Sequence, residues 1–265
     1  MLIASRDNSL LKHARAVRDG KVDELIFVEG LRLCEDVLAS GLEIEATIYT
    51  AEIASKERAA TLITGLNQKS GRIAELSESL LAGISDTKTP QGLVVLAKRP
   101  RPNRELLDAK NLMPRLLVVL HGLNNPVNVG AILRSAEAAG ATGVITTANT
   151  TDPFSTKALR GAMGSTFRLP VWHGAGYGEA INWCLENHVK TVCADLTATN
   201  SYTEVDWKVS CALIVGAESN GLSREEAAMA NESIRIPMLG EVESLNVGVA
   251  AAIVLYEAAR QRSRQ

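Results

Sequence analysis

Short, unbroken apolar runs, spaced by stretches of helix length, are what most restrict the fold of this chain. Leu116 to Leu120 reads Leu-Leu-Val-Val-Leu, and Cys211 to Val215 reads Cys-Ala-Leu-Ile-Val. Neither run alternates with polar residues, so each predicts a strand buried on both faces. Gly143 to Thr146, Phe167 to Val171, Lys190 to Ala194 and Ile234 to Pro237 are further strand candidates. Helices are predicted between them: one opening near Asn128 and ending at Gly140, and others over 155–163 and 177–187. Alternation of this kind predicts a mostly parallel sheet with helices on both faces. By periodicity alone the product is an ordinary doubly wound sheet.

The first hundred residues alternate too, but in shorter pieces. Residues 9–18 suit a basic amphipathic helix. Leu25 to Val28 reads as a strand ended by Glu29-Gly30, and 31–39 as a helix that Gly41 stops. Ile44 to Thr50 is the next strand, 52–66 the next helix, and Arg72 to Leu76 a strand. A short helix over Ser77 to Ile84 and a strand over Gly92 to Ala97 complete a predicted α/β sandwich. Arg99-Pro100-Arg101-Pro102-Asn103 is the linker candidate, because two prolines keep it extended and deny it ladder hydrogen bonds. At 265 residues the chain is long enough for two domains. The expected division is 1–99, a linker over 100–111, and 112–265.

Several function classes are disfavoured. No apolar run reaches the ~18–20 residues that span a bilayer, and the N-terminus lacks a signal-peptide layout. Cys34, Cys184, Cys193 and Cys211 form no C-x-x-C pair, so neither a metal nor a disulfide framework is expected. A cytoplasmic protein with reduced thiols is the reading. No G-x-G-x-x-G follows an early strand, which argues against a dinucleotide-dependent oxidoreductase. His121 follows a strand without a triad context and reads as structural. The net charge of −2 is unusual for a nucleic-acid binder, yet the basic residues cluster. Arg6, Lys12, Arg15, Arg18 and Lys21 fall in one stretch, and Lys98, Arg99, Arg101 and Arg104 in another. Each cluster is equally a solvated surface. Lys12, Lys88 and Thr89 are candidate RNA contacts.

Three blocks carry chemistry. The first is Asn124-Asn125-Pro126-Val127-Asn128-Val129-Gly130-Ala131-Ile132-Leu133-Arg134. The second runs from Leu213 through Gly216-Ala217-Glu218-Ser219-Asn220-Gly221 to Ser223. The third is Ile236-Pro237-Met238-Leu239-Gly240-Glu241-Val242-Glu243-Ser244-Leu245-Asn246, followed by a helix of small residues. A polar, glycine-containing turn against a helix N-terminus offers free backbone N–H groups to an anionic or strongly polar ligand. Taken singly, the residues also have plain structural roles. Asn128 suits a helix N-cap, as does Ser244, and Asn246 a first-turn residue. Arg134 could pair with Glu137 or Glu218. Gly221 suits a turn, and Ser223 with Glu226 has capping-box spacing.

In this order the blocks resemble the three motifs of the SpoU (TrmH-type) RNA ribose 2′-O-methyltransferases, a branch of the SPOUT superfamily. The resemblance covers roughly residues 112–262. It implies methyl transfer from S-adenosylmethionine to a ribose 2′-hydroxyl, and a C-terminal α/β domain with a deep trefoil knot. Knots are too rare for pattern reasoning to propose. Val28-Glu29-Gly30 and Thr89-Pro90-Gln91-Gly92 resemble the small ribosomal-protein-like RNA-binding domain often fused to these enzymes, which favours ribosomal RNA over tRNA as the substrate. The resemblance assigns Arg134 as the central catalytic residue, in the family often given the role of general base. Because an arginine rarely gives up its proton, holding the RNA phosphate and stabilising charge on the 2′-oxygen is the preferred role. Asn128 supports it and Glu218 orients it or meets substrate. Ser244 and Asn246 lie near the reaction centre, facing the partner's arginine in a homodimer formed by the C-terminal domain. Gly216, Ile236, Met238, Leu245 and Asn246 are implied cofactor contacts. The competing expectations are a non-catalytic RNA-binding or ribosome-assembly protein and a tRNA 2′-O-methyltransferase.

Overall fold

The computed structural model describes residues 2–101, 104–108 and 114–263. Pro102 and Asn103 of the expected linker, and the expected domain start at residue 112, lie outside the described residues. In chain order the first elements are β1 (Leu2–Ile3), α1 (Ser9–Arg18), β2 (Leu25–Glu29), α2 (Leu31–Ser40) and β3 (Ile44–Thr50). Next come α3 (Ala51–Ala54), α4 (Glu57–Lys69), β4 (Ser70–Leu76), α5 (Glu78–Ala82), β5 (Leu93–Lys98) and α6 (Glu105–Asp108). Then follow β6 (Leu116–Leu120), α7 (Pro126–Ala138), β7 (Gly143–Thr147), α8 (Thr156–Ala162) and α9 (Ser165–Arg168). After these are β8 (Val171–Ala175), α10 (Tyr177–Glu186), β9 (Lys190–Ala194) and β10 (Asn200–Ser201). The last are β11 (Cys211–Val215), α11 (Arg224–Ala228), β12 (Glu232–Arg235) and α12 (Val247–Arg262). The chain divides into two compact units, Met1–Arg101 with Phe154–Phe167, and Pro102–Pro153 with Arg168–Gln265.

The first unit is built on a mixed sheet of order β1-β4-β3-β5-β2, in which β5 runs antiparallel to both neighbours. Side chains alternate across it. Leu25 and Phe27 face one apolar layer with Leu10, Leu11, Ala14 and Val17 of α1. Ile26 and Val28 face the other, with Val37, Ile63 and Leu66. Phe154 and Leu159 belong to that second layer, which is why the segment carrying α8 is part of this unit. The carboxylate of Glu29 is buried under the loop after α5. It accepts hydrogen bonds from the Asp86 N–H at 3.0 Å and the Thr87 hydroxyl at 2.8 Å. Gly92, at φ +86°, has no room for a side chain: an added Cβ would lie 2.8 Å from Thr50 Oγ1.

The second unit is built on a seven-stranded sheet of order β10-β12-β9-β11-β6-β7-β8, parallel throughout. Its strands β6 and β11 are buried along their whole length, as their unbroken apolar runs predict, and so is β7, which carries Thr146 and Thr147. Trp172, Trp183, Ile145 and Ile214 belong to one apolar layer against it. Arg262 at the end of α12 donates to the carbonyls of Trp207, Arg115, Val209 and Pro114 at 2.7–2.9 Å. The four cysteines are free and buried, and burial pushes the Cys184 thiol up to about 12.

Several boundaries differ from the sequence reading. The expected helix over 52–66 is two, because the Ser55 N–H and hydroxyl close α3 on Ala51 and Glu52 and Lys56 is extended. The expected strand Phe167 to Val171 is instead helix α9 followed by β8. Phe167 packs with the first unit's core, and Pro170 lies before the strand. The strand expected to reach Pro237 ends at Arg235, since a proline nitrogen cannot donate to a ladder. The described part of the expected linker carries α6, whose Leu107 is buried.

Candidate active site

Asn125 and Asn246, rather than Asn128 and Ser244, are the helix caps at the site. The Asn125 side chain accepts from Val127 N, with Pro126 at the first helical position where its missing N–H costs nothing. Asn246 Oδ1 accepts from Gly248 N at 2.9 Å and Val249 N at 3.3 Å, opening α12. Relieved of capping, Asn128 is buried within the first turn of α7.

These positions create a chain of hydrogen bonds between the three blocks. Asn246 spends its oxygen on the cap, so its Nδ2 donates to Asn128 Oδ1 at 3.1 Å. Asn128 Nδ2 then donates to Glu218 Oε1 at 3.1 Å. Glu218 also accepts from the backbone N–H groups of Asn124 and Asn125 at 3.2 and 3.4 Å. Partial burial pushes the Glu218 carboxyl up, but the hydrogen bonds from Asn128 and from backbone N–H groups outweigh it. The net result is a pKa below the ordinary carboxylate value. Glu218 stays ionised at neutral pH and fixes the start of α7.

The linked residues border a cleft of about 1100 Å³. It opens at the carboxyl ends of β9, β11 and β12, where ligands bind in open α/β sheets. One wall is the loop 216–222 after β11. There Gly221 N donates to Ala217 O at 2.9 Å, and Gly221 takes φ +63°. Gly216 lies so close to that turn that an added Cβ would come within 2.6 Å of the Gly221 carbonyl carbon. The opposite wall is the segment through Ile236, Met238, Ser244 and Leu245, closed below by Val254 of α12.

Eight of the residues singled out in the sequence line this cleft: Asn128, Gly216, Glu218, Ile236, Met238, Ser244, Leu245 and Asn246. Arg134 does not. It is exposed on α7 and outside the lining. The expected pairings of Arg134 with Glu137 or Glu218 are not made. Glu137 is held by Arg168 at 2.8 Å, and Glu218 by Asn128. The sequence reading missed the loop Asp195-Leu196-Thr197, which lines the cleft after β9. Asp195 Oδ1 accepts from Thr197 N at 2.7 Å and the Thr197 hydroxyl at 2.8 Å, which turns Leu196 outward. Its one available signal was position, at the carboxyl end of a predicted strand. No group of three or more His, Cys, Asp or Glu side chains among the described residues could hold a metal ion. No helix among them is long and apolar enough to cross a membrane.

Comparison with known proteins agrees with this geometry. Residues 115–256 match the family model described as the SpoU rRNA Methylase family, and residues 11–95 match the MRM3-like substrate binding domain. The 23S rRNA (guanosine-2′-O-)-methyltransferase RlmB of Bordetella pertussis is 31% identical over 217 residues, covering 81% of this chain and 89% of that protein. The AdoMet-bound rRNA methyltransferase from Sinorhizobium meliloti superposes with a TM-score of 0.86 at 30% identity, over 98% of this chain and 97% of that one. The SpoU methyltransferase AviRb from Streptomyces viridochromogenes, also in complex with AdoMet, gives a TM-score of 0.88 at 25% identity, over 97% and 98% of the two chains.

Proposed function

This chain belongs to the SpoU rRNA methylase family, and from that membership we propose that it transfers a methyl group from S-adenosylmethionine to a ribose 2′-hydroxyl of ribosomal RNA. The single observation that carries the proposal is the hydrogen-bonded series Asn246–Asn128–Glu218, which joins all three sequence blocks at the rim of one cleft.

The cleft suits the cofactor. Leu196, Ile236, Met238 and Leu245 offer apolar faces to a flat ring. Asp195, Glu218 and Glu243 bring three carboxylates against one lining arginine, Arg235, which favours a cationic ligand. The closeness of Gly216 to Gly221 leaves backbone rather than side chain facing the ligand. S-adenosylmethionine, when bound, supplies the electrophilic methyl group. The protein's share is to align the ribose hydroxyl and stabilise charge on its oxygen. Asn128, Glu218, Ser244 and Asn246 are the polar groups assigned to that alignment.

Arg134 is assigned to the developing negative charge, acting on the cleft of a second copy. It is exposed and outside its own cleft. The nearby surface of α7 and α12 exposes Val127, Val249 and Tyr256 by 56%, 49% and 56%, which fits a homodimer contact. The C-terminal trefoil knot is part of the proposal. Its support is the match to the SpoU family model over residues 115–256. Residues 1–99 are proposed as the RNA-binding domain, with a linker over 100–111 and a methyltransferase domain over 112–265 of which Phe154–Phe167 groups with the first compact unit, in a cytoplasmic enzyme.

Labelled S-adenosylmethionine incubated with the protein and undermethylated ribosomal RNA tests the reading. Label in the RNA as 2′-O-methylnucleoside is expected. Folded protein that binds the RNA but transfers nothing would favour the non-catalytic assembly role instead.

A further inference from the structure

Outside the cleft, a closely partnered polar cluster of the second unit surrounds His121, directly after β6. The residue is 9% exposed. Its Nε2 lies 2.9 Å from Glu226 Oε1 and its Nδ1 3.0 Å from the Thr147 hydroxyl. Tyr177 packs against the ring at 4.5 Å between centroids, and its hydroxyl donates to the Glu226 carbonyl at 2.9 Å. The proton pattern is determined by the neighbours. The ionised Glu226 carboxylate can only accept, so Nε2–H donates to it, and in the neutral ring Nδ1 then accepts from the Thr147 hydroxyl.

Glu226 uses its second oxygen differently. Oε2 accepts from Ser223 N at 2.8 Å and closes the capping box of α11. Ser223 follows directly on Leu222, where the cleft-lining loop 216–222 ends. α11 has only five residues and buries none of them fully, so few apolar contacts hold it. At its own end of the connection, His121 N donates to Val215 O at 2.9 Å, just before Gly216. The loop is thus anchored at its start by the His121 backbone and at its end by the His121 side chain.

We propose that His121 is a positioning residue, which through Glu226 holds α11 and so keeps the 216–222 loop where Gly216 and Glu218 face the cofactor. The proposal rests on the reading of the cleft as the cofactor site. It gives a role in the reaction to a histidine that touches no ligand, and it ties the residues flanking the first and second sequence blocks together at His121 and Glu226 as Asn128 and Glu218 tie the blocks themselves.

The test is calorimetric titration with S-adenosylhomocysteine of the wild type, His121→Ala, His121→Gln, Glu226→Ala and the double alanine variant. Far-UV circular dichroism melts identify which are folded. His121→Ala is expected to weaken binding about tenfold, the scale of one lost hydrogen bond to a charged group. Glu226→Ala is expected to match it, with the double variant no worse than either single one. His121→Gln, whose amide can still donate to Glu226, is expected to restore most of the affinity. The KM for S-adenosylmethionine should rise in step while the KM for RNA stays unchanged. If His121→Ala does not fold, Glu226→Ala and His121→Gln carry the same expectations. Unchanged affinity in the folded variants, or losses that simply add, overturns the positioning role and leaves the cofactor reading standing. A wild type that binds no S-adenosylhomocysteine overturns the cofactor reading, and the proposal with it.

Discussion

Asn246 donates to Asn128 across 118 positions of sequence, through a 3.1 Å hydrogen bond that ties the cap of α12 to the interior of α7. Each asparagine has one free orientation only, because its other atom is already committed. That makes the pair sensitive to changes a surface asparagine would tolerate.

Asn128→Ala is the first test of this connection. It leaves the exposed Asn246 amide without its protein acceptor and removes one of the two donors to Glu218 Oε1, which keeps the Asn125 N–H at 3.4 Å. A stability loss of about 0.5–1.5 kcal/mol is expected. Methyl transfer should fall by more than the binding of S-adenosylhomocysteine, since Asn128 is assigned to alignment. Equal losses in both would place Asn128 in the scaffold alone. Urea denaturation and initial-rate kinetics on one preparation decide this.

Gly216→Ala should abolish binding of S-adenosylhomocysteine, because the new methyl group would press on the backbone of Gly221 and Leu222. Gly240→Ala is the control, with nothing within 4 Å of the added carbon. Its affinity should stay at the wild-type value. Wild-type affinity in Gly216→Ala would mean that the 216–222 loop relaxes freely.

Arg134→Ala removes an exposed side chain, so stability should change by less than about 0.5 kcal/mol. Cofactor affinity should hold and turnover should disappear. Mixing Arg134→Ala subunits with Glu218→Ala subunits is expected to recover part of the activity if the arginine serves the other copy's cleft. A mixture as inactive as its components would count against that arrangement.

Acid should destabilise the fold through carboxylates whose pKa values are held down. For Glu226 the Ser223 backbone N–H is the main cause; for Glu218 and Asp86, burial acts upward but hydrogen bonds, and for Asp86 the Arg160 charge, prevail. A carboxyl with a lowered folded pKa binds its proton more readily when unfolded. Its stabilisation is therefore present above the ordinary value of 4.5 for glutamate or 3.8 for aspartate, and is lost as pH falls through the folded value. Denaturation midpoints should be level from pH 7 to about 5 and drop below about 4.5. A midpoint that holds steady down to pH 3 would show these groups to be uncoupled from folding.

Arg262→Ala should cost about 1.5–3 kcal/mol, since one guanidinium satisfies the carbonyls of Trp207, Arg115, Val209 and Pro114. The cofactor cleft lies at the other end of α12, so S-adenosylhomocysteine affinity in the folded fraction should be unchanged. Thermal melts with and without ligand separate the two effects.

Local chemistry was readable in the sequence because it is decided by near neighbours. The apolar runs of β6 and β11 announced strands buried on both faces. Gly41, in the left-handed region, ends α2 as expected, and Ser223 with Glu226 forms the expected capping box. Even the cleft lining was largely contained in three blocks, since a strand's carboxyl end and the following turn travel together in the chain. The misreadings share a cause. Asn125 and Asn128 are both chemically fit to cap a helix, and only Pro126 at the first helical position separates them. Phe167 has a strand former's side chain, yet its burial with Phe154 and Leu159 in the first unit holds its segment helical.

Most strands and helices, the parallel sheet of the second unit and the residue types available for chemistry follow from periodicity, caps and turns, and so were legible in the sequence alone; β1, α6, α9 and β10 were not. The folded path of the chain settles which of those residues meet. Asn246, Asn128 and Glu218 are joined because β6, β11 and the start of α12 converge at one end of the sheet. It also sent Arg134 to the outside of α7, six residues beyond Asn128 and on another face of the helix. Hydrogen bonds between residues about a hundred positions apart depend on the path of the whole chain, and no window of sequence contains that path.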